Sequence, residues 1–267
     1  MSQDLISQNS LVRVFTEDNL CLHGYYMPTQ DKKTIALYVH GFKHTFYWDN
    51  FIYPLMEQLN KNNIGFLTVE TRGSGKETEF KTKSGENVFI GSKRELLEDA
   101  HFDISAWMKF LISQNYENII LIGHSLGTFK VVRYLFEGKY ADKVNKIILL
   151  APFDNRANME VNHAKDWLAK PTYDSWNSDN DFNRIFKFSS TDYNFPILQK
   201  ISIPTKIIVG SRDSYFNIHN PDHPEEAMNI LLKYIPNSEG IIIPKAIHSF
   251  KPREDILISE IIKFLSK

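Results

Sequence analysis

The sequence predicts an α/β protein: a mostly parallel central sheet with helices on both faces, opened by an antiparallel hairpin and interrupted by a small helical cap after the sixth strand. Three observations predict it. Short apolar runs alternate with stretches of helical spacing along most of the 267 residues, the signature of right-handed βαβ units. One run, Ile119 to Ile122, contains no polar residue, which suits a strand covered on both faces. Between Ala151 and Ile203 the alternation stops for about fifty residues and then resumes.

The elements follow in order. Leu11 to Phe15 and Leu20 to Tyr26 alternate apolar and polar around Glu17-Asp18-Asn19, a hairpin at one edge of the sheet. Lys33 to Val39 is the next strand and ends in His40-Gly41-Phe42. Helical spacing follows in Phe51, Leu55, Met56 and Leu59, and Gly65 to Val69 returns to strand character. Glu70 to Gly75 closes that strand with a glycine-rich turn, and the charged, aperiodic segment from Lys76 to Lys93 reads as a long surface loop. From Glu95 to Leu111 the residues Leu96, Leu97, Ala100, Ile104, Trp107, Met108 and Leu111 fall at helix spacing. The strand at Ile119 runs into Gly123-His124-Ser125-Leu126-Gly127, then a helix to about Glu137, then a strand from Val144 to Leu150. After the interruption come a strand at Thr205 to Val209, a helix at Pro224 to Tyr234, a strand at Gly240 to Ile243 and a helix at Ile256 to Leu265. Residues 1–151 and 204–267 therefore form the core, and 152–203 the cap insertion. The cap carries Trp167, Trp176 and several Phe and Tyr among Asn and Asp. That is too apolar for a linker and too short for an independent core, so it should pack on the main body.

Composition bounds the function. Hydrophobic content of 42% with 13% aromatic residues supports a sizeable core, and 24% charged residues is ordinary. A net charge of -1 gives no reason to expect nucleic acid or an acidic membrane as partner. The single cysteine, Cys21, excludes an internal disulfide and any cysteine-rich metal site. The polar start Met1-Ser2-Gln3-Asp4 leads into no signal-peptide core, and no apolar run is long enough for stable membrane insertion. The cytoplasm is the expected compartment.

The chemistry gathers at Ser125. A strand turning this abruptly into a helix strains its apex residue and holds the hydroxyl above the sheet at a helix N-terminus. A serine hydroxyl is a weak nucleophile and needs a base, itself oriented by an acid, from loops at the same sheet edge. His248 follows the last strand and is the expected base. Asp213, in Gly210-Ser211-Arg212-Asp213, is the favoured acid, with Asp154 and Glu70 as rivals. The chain order Ser125, Asp213, His248 is the order this serine-turn architecture requires. Two backbone N–H groups must meet the oxyanion, and the expected donors are those of Leu126 and Phe42. His40 and His124 should pack or hydrogen-bond locally, His219 and His223 should face solvent, and His44 lies close enough to contact substrate. Arg72, Trp167 and Trp176 are further candidate substrate contacts.

With these residues placed, the chain resembles the α/β-hydrolase superfamily of serine hydrolases. The likeness rests on His40-Gly41-Phe42, Arg72-Gly73-Ser74-Gly75, Gly123 to Gly127, Gly210 to Asp213 and His248. Within it, the chain is most similar to small-capped esterases and acylhydrolases such as cinnamoyl and feruloyl esterases and monoacylglycerol lipases. Glu70 and Lys76-Glu77 depart from the Asp and small residues common there. The resemblance implies an α/β-hydrolase fold and cleavage of a small-molecule ester or thioester, of a small to medium acyl or phenolic acid, through an acyl-enzyme. It implies no cofactor, and nothing in the sequence suggests a metal. Amide cleavage and acyl transfer use the same framework, while dehalogenation would place Asp at the apex. A silent ligand-binding protein is the alternative of another class, and three chemically competent residues argue against it. Oligomeric state is not legible.

Overall fold

Unbroken apolar runs form the middle of the sheet because the pleat sends alternate residues to opposite faces, and both faces are covered. The computed structural model describes residues 9–152, 198–217, 220 and 222–267. The expected cap, with Trp167, Trp176 and Asp154, falls mostly at 153–197 and lies outside the described residues, as does His219. The described strands are β1 (Ser10–Phe15), β2 (Cys21–Met27), β3 (Thr34–Val39), β4 (Gly65–Val69), β5 (Glu79–Lys81), β6 (Asn87–Phe89), β7 (Asn118–His124), β8 (Val144–Leu150), β9 (Thr205–Gly210) and β10 (Ser238–Ile243). The helices are α1 (Ile52–Lys61), α2 (Ala100–Ser113), α3 (Leu126–Glu137), α4 (Pro224–Tyr234) and α5 (Glu254–Leu265).

Eight strands form one sheet in the order β1-β2-β4-β3-β7-β8-β9-β10. The pairs β1–β2 and β2–β4 are antiparallel and every later pair is parallel. Ile35, Leu37 and Val39 of β3, with Ile119 and Leu121 of β7, share one core with Trp107 of α2, Val132 of α3 and Leu231 of α4. Ala36, Tyr38, Ile120 and Ile122, the residues between them, share the other core with Leu55 of α1 and Ile261 of α5. This chain is an α/β-hydrolase fold, with an antiparallel start and helices on both faces of its sheet.

The strand order positions the site. From β3 the chain crosses to β4 on one side and later to β7 on the other. The loops leaving β3 and β7 therefore diverge from adjacent strand ends, the crevice in which open α/β sheets bind ligands.

The segment from Lys76 to Lys93 is not merely a loop, since β5 and β6 pair antiparallel within it. Phe80 is its anchor, buried in the core between exposed Glu79 and Lys81, and a bridge from Thr82 to Leu20 ties the hairpin to the first turn. The expected helix from Glu95 opens as a 3-10 turn at Leu97–Asp99 before α2 begins.

Candidate active site

Ser125 stands between β7 and α3 with φ 54° and ψ -122°. A non-glycine residue holds such a backbone only where its surroundings over-determine it. Here the Ser125 N–H donates to the Leu150 carbonyl at 2.9 Å, and the Thr128 hydroxyl and N–H donate to the Ser125 carbonyl at 2.6 and 3.0 Å. The turn also seats tightly on the end of β3. A Cβ on Gly127 would lie 2.2 Å from the Val39 carbonyl oxygen, and one on Gly41 would lie 2.9 Å from the Ser125 Cβ. Only glycine allows the Gly41-Phe42 backbone so close to the serine.

His248 Nε2 is 2.9 Å from Ser125 Oγ, and His248 Nδ1 is 2.9 Å from each carboxylate oxygen of Asp213. With Nδ1–H donating to the carboxylate, Nε2 is the lone-pair nitrogen facing the hydroxyl. Asp213 is buried and also accepts the Tyr215 N–H at 3.0 Å. Two loops hold the pair together. Arg212 N–H donates to the Ala246 carbonyl at 2.9 Å, and Lys245 N–H donates to Ser211 Oγ at 2.8 Å. Gly210 makes this possible, because a Cβ there would lie 2.3 Å from the Ala246 carbonyl oxygen. The structure thus brings Ser125, His248 and Asp213 into one hydrogen-bonded line. Glu70, the rival acid, is committed to the His23 N–H at 2.9 Å.

Beneath the Gly41-Phe42 loop lies a buried polar layer. His40 Nδ1–H donates to the Gly41 carbonyl at 2.7 Å, so Nε2 accepts the Ser74 hydroxyl at 2.8 Å. Burial first, and the nearby Lys130 charge second, lower the His40 pKa to about 3. Lys130 pairs with buried Glu95 at 2.7 Å and donates to Thr71 Oγ1 at 3.0 Å. The Thr71-to-Gly75 turn thus supports the loop that approaches the serine.

Arg72 belongs to that support and is not available as a substrate contact. Its guanidinium meets Asp103 at 2.9 Å, Asp18 at 3.0 Å and Asp99 at 3.2 Å, and its own N–H donates to Asp103 at 2.8 Å. Asp103 carries a sequence signal, an acid on the buried face of α2 between Ala100 and Trp107. An acid so placed demands a cation.

His44 and His124 meet around Asp49, which sequence reasoning missed. His44 Nδ1 is 3.1 Å and His124 Nδ1 3.4 Å from Asp49 Oδ1, while Tyr38 donates to Asp49 Oδ2 at 2.5 Å. Burial resists ionisation of Asp49, but the two imidazoles outweigh it and hold the carboxyl below its usual range. On its far side His124 Nε2 donates to the His248 carbonyl at 3.1 Å. His44 stacks on Trp48 with ring centroids 5.8 Å apart. His223, as expected, is exposed, and its ring pairs with exposed Glu225.

The family model described as serine aminopeptidase, S33, matches residues 30–185, more than half of the chain. Among solved structures, the esterase Pf2001 of Pyrococcus furiosus is 21% identical with a TM-score of 0.68, covering 100% of this chain and 95% of that one. Est1E of Butyrivibrio proteoclasticus, solved with ferulic acid bound, is 17% identical with a TM-score of 0.70, covering 95% and 99%. The esterase RhEst1 of Rhodococcus sp. ECU1013 is 17% identical with a TM-score of 0.62, covering 97% and 99%. At these identities the three establish a common fold. A search of curated proteins returned no match. Among the described residues no helix is long and apolar enough to cross a membrane.

Proposed function

The chain belongs to the serine aminopeptidase (S33) family of hydrolases, and we propose that it is a serine carboxylesterase acting on small-molecule esters. The observation that carries the proposal is the line from Ser125 Oγ through His248 to Asp213, each step 2.9 Å, with the serine held at positive φ. Ser125 attacks the ester carbonyl while His248 Nε2 takes its proton. Asp213 fixes the tautomer and stabilises the imidazolium. The oxyanion is met by the N–H of Leu126, at the start of α3 where no preceding turn supplies a carbonyl, and by that of Phe42, the residue after Gly41, whose backbone abuts Ser125. His248 then returns the proton to the leaving alcohol, and water releases the acid from the acyl-enzyme.

The ester reading draws on the fold shared with three esterases, and the ferulic acid held by Est1E makes a phenolic acid one candidate acyl group beside a short to medium fatty acyl chain. The family description supports amide cleavage as a second reading. One panel decides between them: p-nitrophenyl esters of graded chain length, a feruloyl ester, an acyl thioester and aminoacyl p-nitroanilides. The proposal expects ester turnover to dominate, and Ser125→Ala to lower kcat by on the order of 10⁴–10⁶. Ester turnover unchanged in Ser125→Ala would end the proposal, and faster turnover of the anilides would replace it with the amide reading.

A further inference from the structure

We propose that His44, Asp49 and His124 form a binding site for a divalent cation of the zinc class, beside the serine and independent of the hydrolytic reading. Their ligand atoms, two Nδ1 and one Oδ1, all lie within 4.8 Å of one another. The separations of 3.1 and 3.4 Å between Asp49 Oδ1 and the two imidazole nitrogens match the edges of a coordination polyhedron. Ligands at about 2.0–2.1 Å from a tetrahedral zinc stand about 3.3 Å apart.

The surroundings of the three side chains point the same way. Both Nδ1 atoms are buried, and although each lies near Asp49 Oδ1, neither meets an acceptor or donor in hydrogen-bond geometry among the described residues. His124 is fully buried, and its Nδ1 faces the carboxylate with no other polar group among the described residues to satisfy it. Its other nitrogen, Nε2, donates to the His248 carbonyl, so in the neutral ring Nδ1 is the lone-pair nitrogen. The second carboxylate oxygen of Asp49 accepts the Tyr38 hydroxyl. A ligating histidine whose far N–H meets a backbone carbonyl, beside a ligating carboxylate that is itself hydrogen-bonded, is the usual outer arrangement of a metal site. His44, whose side chain is 27% exposed, gives an entry route and the side from which water completes the coordination. Two imidazoles and one carboxylate favour zinc over magnesium or calcium. The competing occupant of the same position is a second proton on His124.

The whole chain, stripped with a chelator and dialysed against buffered micromolar zinc, tests this by elemental analysis of bound metal. The expected result is one zinc per chain in the wild type, an equal amount in His248→Ala, and at least a tenfold loss of affinity in His44→Ala and Asp49→Asn. Zinc should also raise the melting temperature of the wild type and leave that of His44→Ala unchanged. His44 lies in a partly exposed loop, so its variant keeps the test decisive even where Asp49→Asn fails to fold. No zinc on the wild type, or full retention by His44→Ala, would assign the position to the proton. Loss in His248→Ala would move the metal to the serine's own histidine and overturn the proposal.

Discussion

Gly210→Ala separates the role of loop geometry from that of the reacting side chains, since it changes neither Asp213 nor His248. The backbone of Gly210 lies outside the left-handed region, so alanine meets no conformational penalty there. Its methyl carbon, however, would sit 2.3 Å from the Ala246 oxygen, 2.6 Å from the Ala246 carbon and 2.8 Å from the Ile247 oxygen. All three are backbone atoms, so no side chain can swing aside. Ordinary contact begins at 3.4 Å, and the loop bearing His248 must therefore retreat from the loop bearing Asp213 by about 1 Å. Overpacking of this kind costs about 1–3 kcal/mol of stability. A displacement of about 1 Å at a reacting group costs about 10² in rate. Urea unfolding reads the first effect, and kcat on a short p-nitrophenyl ester at a temperature where the variant is folded reads the second. A folded Gly210→Ala protein turning over at the wild-type rate would refute the claim that this contact sets the position of His248.

Two further predictions address the buried layer. The His40 imidazole, held neutral down to about pH 3 in the folded chain, takes up its proton near pH 6.5 once unfolded. Between those values the unfolded state binds the extra proton, so stability falls as the pH falls, by about 2 kcal/mol from pH 7 to pH 5. His40→Asn should remove that increment from the pH dependence of urea unfolding; an unchanged difference between the two pH values would contradict it. Arg72→Met should cost about 3–5 kcal/mol in the same assay, because it strands the buried Asp103 carboxylate. Its KM should stay near the wild-type value, and a raised KM with unchanged stability would restore Arg72 as a substrate contact.

The sheet was legible because its central strands are buried on both faces and so read as runs such as Ile119 to Ile122 and Ile147 to Leu150. The positions of Ser125, Asp213 and His248 followed from strand ends, since parallel strands deliver their following loops to one edge. The β5–β6 hairpin escaped notice because each of its strands spans three residues and the pair buries only Phe80. Arg72 was misread because Asp18, Asp99 and Asp103, its three partners, come from separate parts of the chain. Asp49 gave no signal for a similar reason. His44 and Asp49 leave the end of β3, His124 ends β7, and only the adjacency of those strands brings the three together.

The chemistry proposed for the site turns on Ser125 being a nucleophile activated by His248 and Asp213. A fluorophosphonate probe reacting with the folded chain, followed by mass mapping of the adduct, tests it most directly. The expected result is one adduct per chain on Ser125, none on Ser125→Ala, and slowing by on the order of 10² or more in His248→Ala. Labelling at another residue, or equal labelling rates with and without His248, would contradict it.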